Sequence, residues 1–367
     1  MLKRILLQLH WLVGISAGVV LAVMGLSGGL YSFADDLIHW IDPGVTRVQV
    51  PAHAMLSPKE LLERVKLVQP HVSSLTLSSD PGEAARVGVM TPVPGTDRKK
   101  FELFYLNPYT AQLLGKPASE EIFRQILDLH RRLMWGDTGK AVIGAATLFL
   151  LLLLVSGLYL RWPKIRRLHW RTWLLIDLTQ RRRNFIVQLH AVAGTWMFLA
   201  YLCAALTGLA WSYDWYRNGL RELSQVTAVR QEKPPSPAQN MADAEGNADL
   251  LWVRFNEHVP KYQKMIVLLP SDSAQAVQIL YLDSDAPHPY ANSRIVIDGR
   301  TGQVQQHERY AEKTAGEKLM ASLYAIHSGS FFGTVGRSIM MLASLLLPFF
   351  LVTGWIMYLQ RLRSKRR

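Results

Sequence analysis

The chain alternates long apolar runs with polar segments. Four runs, 5–34, 141–160, 185–213 and 338–360, contain no Asp, Glu, Lys or Arg. A helix needs about 20 apolar residues to cross a hydrocarbon layer, so each run predicts a transmembrane helix. The strand alternation of a transmembrane barrel is absent. Between the runs, 87–90, 101–106, 266–269, 277–282 and 294–297 have strand composition and are bounded by Pro, Gly, Asn and Asp. Ser57-Pro58-Lys59-Glu60 opens a helix with a capping-box pattern, continued by Leu61, Leu62 and Val65. Lys233-Pro234-Pro235-Ser236-Pro237 predicts an exposed linker.

The 367 residues are 49% hydrophobic and carry a formal net charge of +13. Location decides what that charge means. Eight Lys/Arg fall within 161–183 against one acid, Asp177; the tail adds Arg361, Arg363, Lys365, Arg366 and Arg367, and Lys3 and Arg4 precede the first run. These three segments hold the whole excess, which is a topology pattern and argues against nucleic-acid binding. Both termini and the middle loop are expected in the cytoplasm, with a multi-pass chain in the bacterial inner membrane. The expected order is a transmembrane helix (5–34), a periplasmic domain (35–125), a histidine-bearing segment with a second transmembrane helix (126–161), and a basic loop (162–184). A third helix (185–213), a second periplasmic domain (214–322), a segment with the fourth helix (323–360) and a basic tail (361–367) follow. The fold class is thus a mainly α membrane protein with two small α+β domains. Ser32-Phe33-Ala34 resembles a cleavage site, but the run before it exceeds the 7–15 apolar residues of a signal peptide and reads as a retained anchor. The one cysteine, Cys203, lies within the third run, so the chain has no disulfide between its external segments and no covalent c-type haem site.

The first and third runs repeat each other. Gln8-Leu9-His10, Gly14, Leu26-Ser27-Gly28 and Tyr31-Ser32-Phe33 match Gln188-Leu189-His190, Gly194, Leu206-Thr207-Gly208 and Trp211-Ser212-Tyr213 at constant offset. His130, Gly136, Gly139, Lys140 and Ser156-Gly157 likewise match His327, Gly333, Gly336, Arg337 and Thr353-Gly354, and residues 104–112 match 295–303. This pattern predicts a tandem duplication, with the halves related by an axis along the membrane normal.

The duplication pairs His10 with His190 towards the cytoplasmic face, and His130 with His327 towards the opposite face. Two neutral imidazoles facing each other are the axial ligand set of a six-coordinate haem, so two pairs predict two haem b groups. Intramembrane ionisable residues are costly and usually functional. Zinc or copper fits less well, since no carboxylate or thiol accompanies the pairs; a proton relay is the other reading. Gly14, Gly18, Gly25, Gly28, Gly194 and Gly208 would admit a flat macrocycle or a neighbouring helix. Lys3, Arg4, Arg131, Arg132 and Arg337 would neutralise propionates or anchor the chain at headgroups. His39, His53, His71, His169, His258, His288 and His307 have no repeat partner; His39 and His169, near membrane faces, are the substitutes should the pairing differ. Trp40, Trp135, Trp162, Trp170, Trp211, Trp215 and Tyr358 read as an interfacial belt.

The Leu-His-x-x-x-Gly opening, Leu129-His130-Arg131-Arg132 with Gly136-Asp137-Thr138-Gly139, Trp162-Pro163, and the Asn107-Pro108-Tyr109-Thr110 and Asp298-Gly299-Arg300-Thr301-Gly302 turns, with His327-Ser328-Gly329 and Gly333, resemble the PepSY-associated transmembrane family over nearly the whole chain. The chain is similar, within that family, to four-span ferrisiderophore reductases. The resemblance implies PepSY-like external domains and electron transfer through two haems to an Fe(III)-siderophore in the periplasm. It also implies a separate electron donor, a quinol or a cytoplasmic reductase, because no flavin-type domain or Gly-x-Gly-x-x-Gly turn is present. A periplasmic iron or siderophore carrier is a further partner class, and membrane lipid a constant one. A cytochrome b subunit serving a protein partner and a haem-free binding or regulatory module are the alternatives.

Overall fold

The computed structural model describes residues 1–95, 99–165, 173–180, 183–224, 248–269 and 276–365. The expected linker at 233–237, His169 and Trp170 lie outside them, as does the side chain of Trp162. The helices of eight or more residues are α1 (Leu2–Tyr31), α2 (Ala34–Ile41), α3 (Pro58–Lys66), α4 (Ala118–Arg132), α5 (Gly136–Ile165), α6 (Arg183–Ser212), α7 (Asp214–Leu223), α8 (Ala248–His258), α9 (Ala315–Ser328) and α10 (Gly333–Lys365). The strands are β1 (Val72–Ser78), β2 (Ala85–Pro92), β3 (Lys99–Leu106), β4 (Leu113–Gly115), β5 (Tyr262–Leu268), β6 (Ala276–Asp283), β7 (Asn292–Asp298) and β8 (Val304–Glu308). The chain divides into a helical unit (Met1–Ala34, Ile122–Leu220, Leu323–Arg367) and a sheet unit (Asp35–Glu121, Arg221–Ser322).

In the helical unit, four helices are long and apolar enough to cross a membrane: Leu2–Tyr31, Gly136–Arg161, Asn184–Ser212 and Ser330–Arg363. The 30 residues of α1 rise about 45 Å, against a hydrocarbon core of about 30 Å. The helices form a ring in which α1 and α6 each pack against both α5 and α10. Small residues on the buried face of α1, among them Ala17, Gly18, Ala22, Gly25 and Gly29, let the backbones approach. Gly25 meets a feature of the facing helix. Pro348 lies inside α10 and has no N–H, so the Ser344 carbonyl four residues back has no helical donor. A Cβ on Gly25 would lie 2.3 Å from that carbonyl oxygen and 2.8 Å from Leu347 Cβ, a space that only glycine leaves open.

Short links join α4 to α5 and α9 to α10. Gly136 (φ 58°) and Gly333 (φ 63°) open the spanning helices in the left-handed region, where a Cβ is strained. Leu133 (φ 50°) and Met134 (φ 57°) share that region in the first link.

The sheet unit is built on one antiparallel sheet of order β4-β3-β2-β1-β5-β6-β7-β8. The segments expected as two small domains therefore merge: each gives a four-stranded meander, and β1 pairs with β5 from Ser74↔Leu268 to Ser78↔Lys264. One core spans both meanders, with Leu61 and Val65 of α3 and Phe255 of α8 packed on Leu75, Val87, Met265, Ile279 and Ile295. A single core is the lower-energy outcome because a lone meander would leave a hydrogen-bonding edge and half its apolar face uncovered. The predicted capping box is present: the Ser57 backbone N–H donates to Glu60 Oε2 (2.8 Å) and the Glu60 backbone N–H donates to Ser57 Oγ (3.3 Å). The matched segments 104–112 and 295–303 form similar turns. Asn107 Oδ1 accepts from the Tyr109 N–H (2.8 Å) and Asp298 Oδ1 from the Arg300 N–H (3.0 Å), while Ala111 (φ 62°) and Gly302 (φ 69°) hold the same left-handed position.

Candidate functional site

The histidines sit at opposite ends of the spans. His10 and His190 lie in the N-terminal parts of α1 and α6, and His130 and His327 in the last turns of α4 and α9. Both short helices are capped at their starts. The Ser119 hydroxyl (2.5 Å) and N–H (2.9 Å) at the start of α4 both donate to Asp42 Oδ2, which holds the Asp42 carboxyl below its usual range. At α9 the Thr314 N–H donates to Glu317 Oε2 (2.8 Å) and the Glu317 N–H to Thr314 Oγ1 (3.3 Å), a capping box.

The structure brings together both predicted pairs. Ring centres are 6.5 Å apart for His10 and His190, with planes at 73°, and 6.3 Å apart for His130 and His327, with planes at 60°. An imidazole nitrogen binds a metal at about 2 Å and lies roughly 1.1 Å from its own ring centre, so two rings on opposite sides of one metal stand about 6.3 Å apart. Both separations are of that size. The pairs are also separated from each other: the His130 ring packs at Gly28, 18 residues beyond His10 on α1, or about 27 Å of helix.

Each ring is held through Nδ1. His10 Nδ1 is 2.8 Å from Ser156 Oγ, His190 Nδ1 is 2.7 Å from Thr353 Oγ1, and His327 Nδ1 is 2.9 Å from Thr207 Oγ1. His130 Nδ1 donates to the Met24 carbonyl (2.9 Å), with Ser27 Oγ at 3.5 Å. The hydroxyl protons are already committed: Ser156 donates to Leu152 O (2.7 Å), Thr353 to Phe349 O (2.8 Å) and Thr207 to Cys203 O (2.6 Å). A hydroxyl has one proton, so towards histidine these oxygens accept. All four neutral rings are thereby fixed as the Nδ1–H tautomer, with the Nε2 lone pair left for a metal.

The partners obey the sequence repeat, Ser156 with Thr353, Ser27 with Thr207, and Met24 with Ala204, whose carbonyl lies 3.2 Å from Thr207 Oγ1. Their repeat-matched positions were legible in the sequence; their role was not. A hydroxyl at a matched depth in an apolar run is the pattern that would have found them.

The glycines resolve into distinct tasks. A Cβ on Gly28 would meet His130 Cε1 at 2.9 Å, on Gly208 His327 Cε1 at 3.5 Å, and on Gly157 His10 Cε1 at 3.4 Å, so these admit imidazole rings. Gly18 faces Leu351 of α10 and Gly14 faces Leu153 of α5. Phe350 stands edge-on to His190 (5.0 Å) and Tyr201 to Phe350 (5.9 Å); of the aromatic belt, Trp211 packs edge-on to His327 (5.4 Å). Arg337 donates to the Ser32 carbonyl (3.1 Å) and lies over Phe33, tying α10 to the end of α1. Lys3, Arg4, Arg131 and Arg132 are exposed.

His39, His258, His288 and His307 are placed by ordinary contacts. His39, in the sheet unit, faces Glu83 at 3.9 Å, in a cleft of about 490 Å³ lined also by Asp35, Asp36, Trp40 and Arg47. Glu83 raises the His39 pKa, and His39 in turn lowers that of Glu83. His288 Nδ1 accepts from the Tyr290 N–H (3.2 Å), leaving Nε2–H for Ser322 Oγ (2.9 Å). His307 bonds Tyr281 and lies 6.1 Å from His258.

Among the described residues no group of three or more His, Cys, Asp or Glu side chains stands ready to hold a metal ion. The chain matches the family model for the PepSY-associated TM region over residues 7–361, and it belongs to that family. A search of curated proteins returned no match.

Proposed function

We propose that this member of the PepSY-associated transmembrane family holds two haem b groups, one per histidine pair, and passes electrons across a bacterial inner membrane to an Fe(III)-siderophore. The observation that carries the reading is the pair geometry: two imidazoles with ring centres 6.5 Å apart at one end and 6.3 Å at the other, each with Nδ1–H engaged, so that each pair would have two Nε2 lone pairs to offer one metal. A macrocycle brings four equatorial nitrogens of its own, so it needs from the protein only the two ligands that each pair provides. A bare metal ion would need more ligands than a pair supplies.

When bound, haem supplies reversible one-electron chemistry at its iron. The chain's own residues do the rest. His10 and His190 bind towards one end of the spans and His130 and His327 towards the other, while Ser156, Thr353 and Thr207 hold the tautomer. Phe350, Tyr201 and the aliphatic faces of α1 and α10 keep the interior apolar. The basic termini and loop favour the cytoplasmic side, where a quinol or a reductase would deliver electrons. On the opposite side each electron converts siderophore-bound Fe(III) to Fe(II), a softer and less charged ion that oxygen donors release more readily.

The test is a reduced-minus-oxidised spectrum of the purified protein with a pyridine haemochrome count. The expected result is about two haem b per chain, falling to about one in His10→Ala and in His327→Ala. Haem-free protein expressed with ample haem would overturn the reading. Two haems without ferrisiderophore turnover would leave a cytochrome b subunit serving a protein partner.

A further inference from the structure

The Nδ1 contacts carry more than ligand orientation. We propose that Ser156, Thr353 and Thr207 are positioning residues that set the reduction potentials of the two haems, by fixing how strongly each ligand histidine donates to iron; this rests on the two-haem reading above. Each hydroxyl has spent its proton on its own helix, so it presents only lone pairs to the ring. A ring whose Nδ1–H is accepted by oxygen keeps more electron density on its ligating nitrogen, which favours Fe(III) over Fe(II). A neutral hydroxyl does this less strongly than a carboxylate would, so the hydroxyls hold the potentials at an intermediate level.

The two ends differ in a way that makes the idea testable. His10 and His190 each have a single hydroxyl on Nδ1, at 2.8 and 2.7 Å. At the other end a carbonyl is at hand: Met24 O takes the His130 proton at 2.9 Å, and Ala204 O lies 3.2 Å from Thr207 Oγ1, next to its contact with His327. Loss of a hydroxyl therefore strips the ring of its acceptor at the His10/His190 end, but leaves a carbonyl close by at the other.

The experiment is an optical redox titration of the full-length detergent-purified protein. Thr353→Val is isosteric, and Thr353→Ser keeps the oxygen. Thr195→Val is the matched control, since its hydroxyl donates to Ala191 O (2.8 Å) on the same helix as His190, not to a histidine. In Thr353→Val and in Ser156→Ala one haem of the two is expected to shift upward, its Fe(II)/Fe(III) ratio at fixed potential rising about tenfold, which is 59 mV for one electron. Thr353→Ser is expected to restore it, Thr195→Val to leave both haems unchanged, and Thr207→Val to give a smaller shift in the other haem. Loss of one haem in Thr353→Val, with both kept in Thr353→Ser and Thr195→Val, would support the same role. Two haems per chain with both potentials unmoved in Thr353→Val and Ser156→Ala, or an equal shift in Thr195→Val, would overturn it. A parent protein without haem overturns the two-haem reading instead, so the two failures are distinguishable.

Discussion

His39 and Glu83 are the clearest titrating pair outside the spans. The Glu83 contact, at 3.9 Å, raises the histidine pKa, while Arg86 opposes it and the Asp35 carbonyl accepts from Nδ1 (2.7 Å). Because the folded pKa is raised, the stabilisation is fully present below the unfolded value of about 6.5 and fades as pH rises through the folded value. The pair is partly exposed, so its worth is about 0.5 kcal/mol. His39→Gln is expected to lower the melting temperature by a degree or two at pH 6 and not at pH 9. Equal depression at both would remove the ion pair from the account. Single residues were also where the sequence was most informative. His10, His130, His190 and His327 stand out in the sequence because each has a repeat-matched partner. Their hydroxyl and carbonyl partners do not, since Ser and Thr in apolar helices ordinarily satisfy themselves on the preceding turn, as Thr195 and Thr147 do here.

At the scale of elements, the four long helices were legible because a charge-free run of that length has few other fates in a cell. Their mutual packing depends on a smaller detail, the closure of α1 over the Ser344 carbonyl. Gly25→Ala would place a methyl 2.3 Å from that oxygen, forcing α1 and α10 apart at a cost of about 1–3 kcal/mol. A lower melting temperature in detergent is the expected readout. Gly219→Ala, where a Cβ has nothing within 4 Å, should not lower it. Strands divided differently. β2, β3, β5, β6 and β7 are rich in Val, Ile, Phe and Tyr and were predictable, whereas β1 reads Val-Ser-Ser-Leu-Thr-Leu-Ser and β8 Val-Gln-Gln-His-Glu. The first owes its state to strands on both sides, the second to its place at an edge, and neither cause is written in local composition.

At the scale of the molecule, the sequence repeat suggested two external domains, and the structure joins them through β1 and β5. Nothing local to either half encodes that seam; it is a pairing across about 190 residues. The seam is the expected weak point for backbone disruption. Val267 of β5 lies between Leu75 and Ile279, so Val267→Pro removes a ladder bond and is expected to cost about 3 kcal/mol or more. Gln306→Pro on the edge strand β8 should cost much less. Thermal unfolding of the full chain compares them, and equal losses would show that the seam carries no special share of stability.

The seam also imposes a schedule on biosynthesis. At roughly 5–20 residues per second, β5 is made about 10–40 s after β1, so for that interval the nascent first half carries β1, with Leu75 and Leu77, as an open sheet edge that only its β2 side covers.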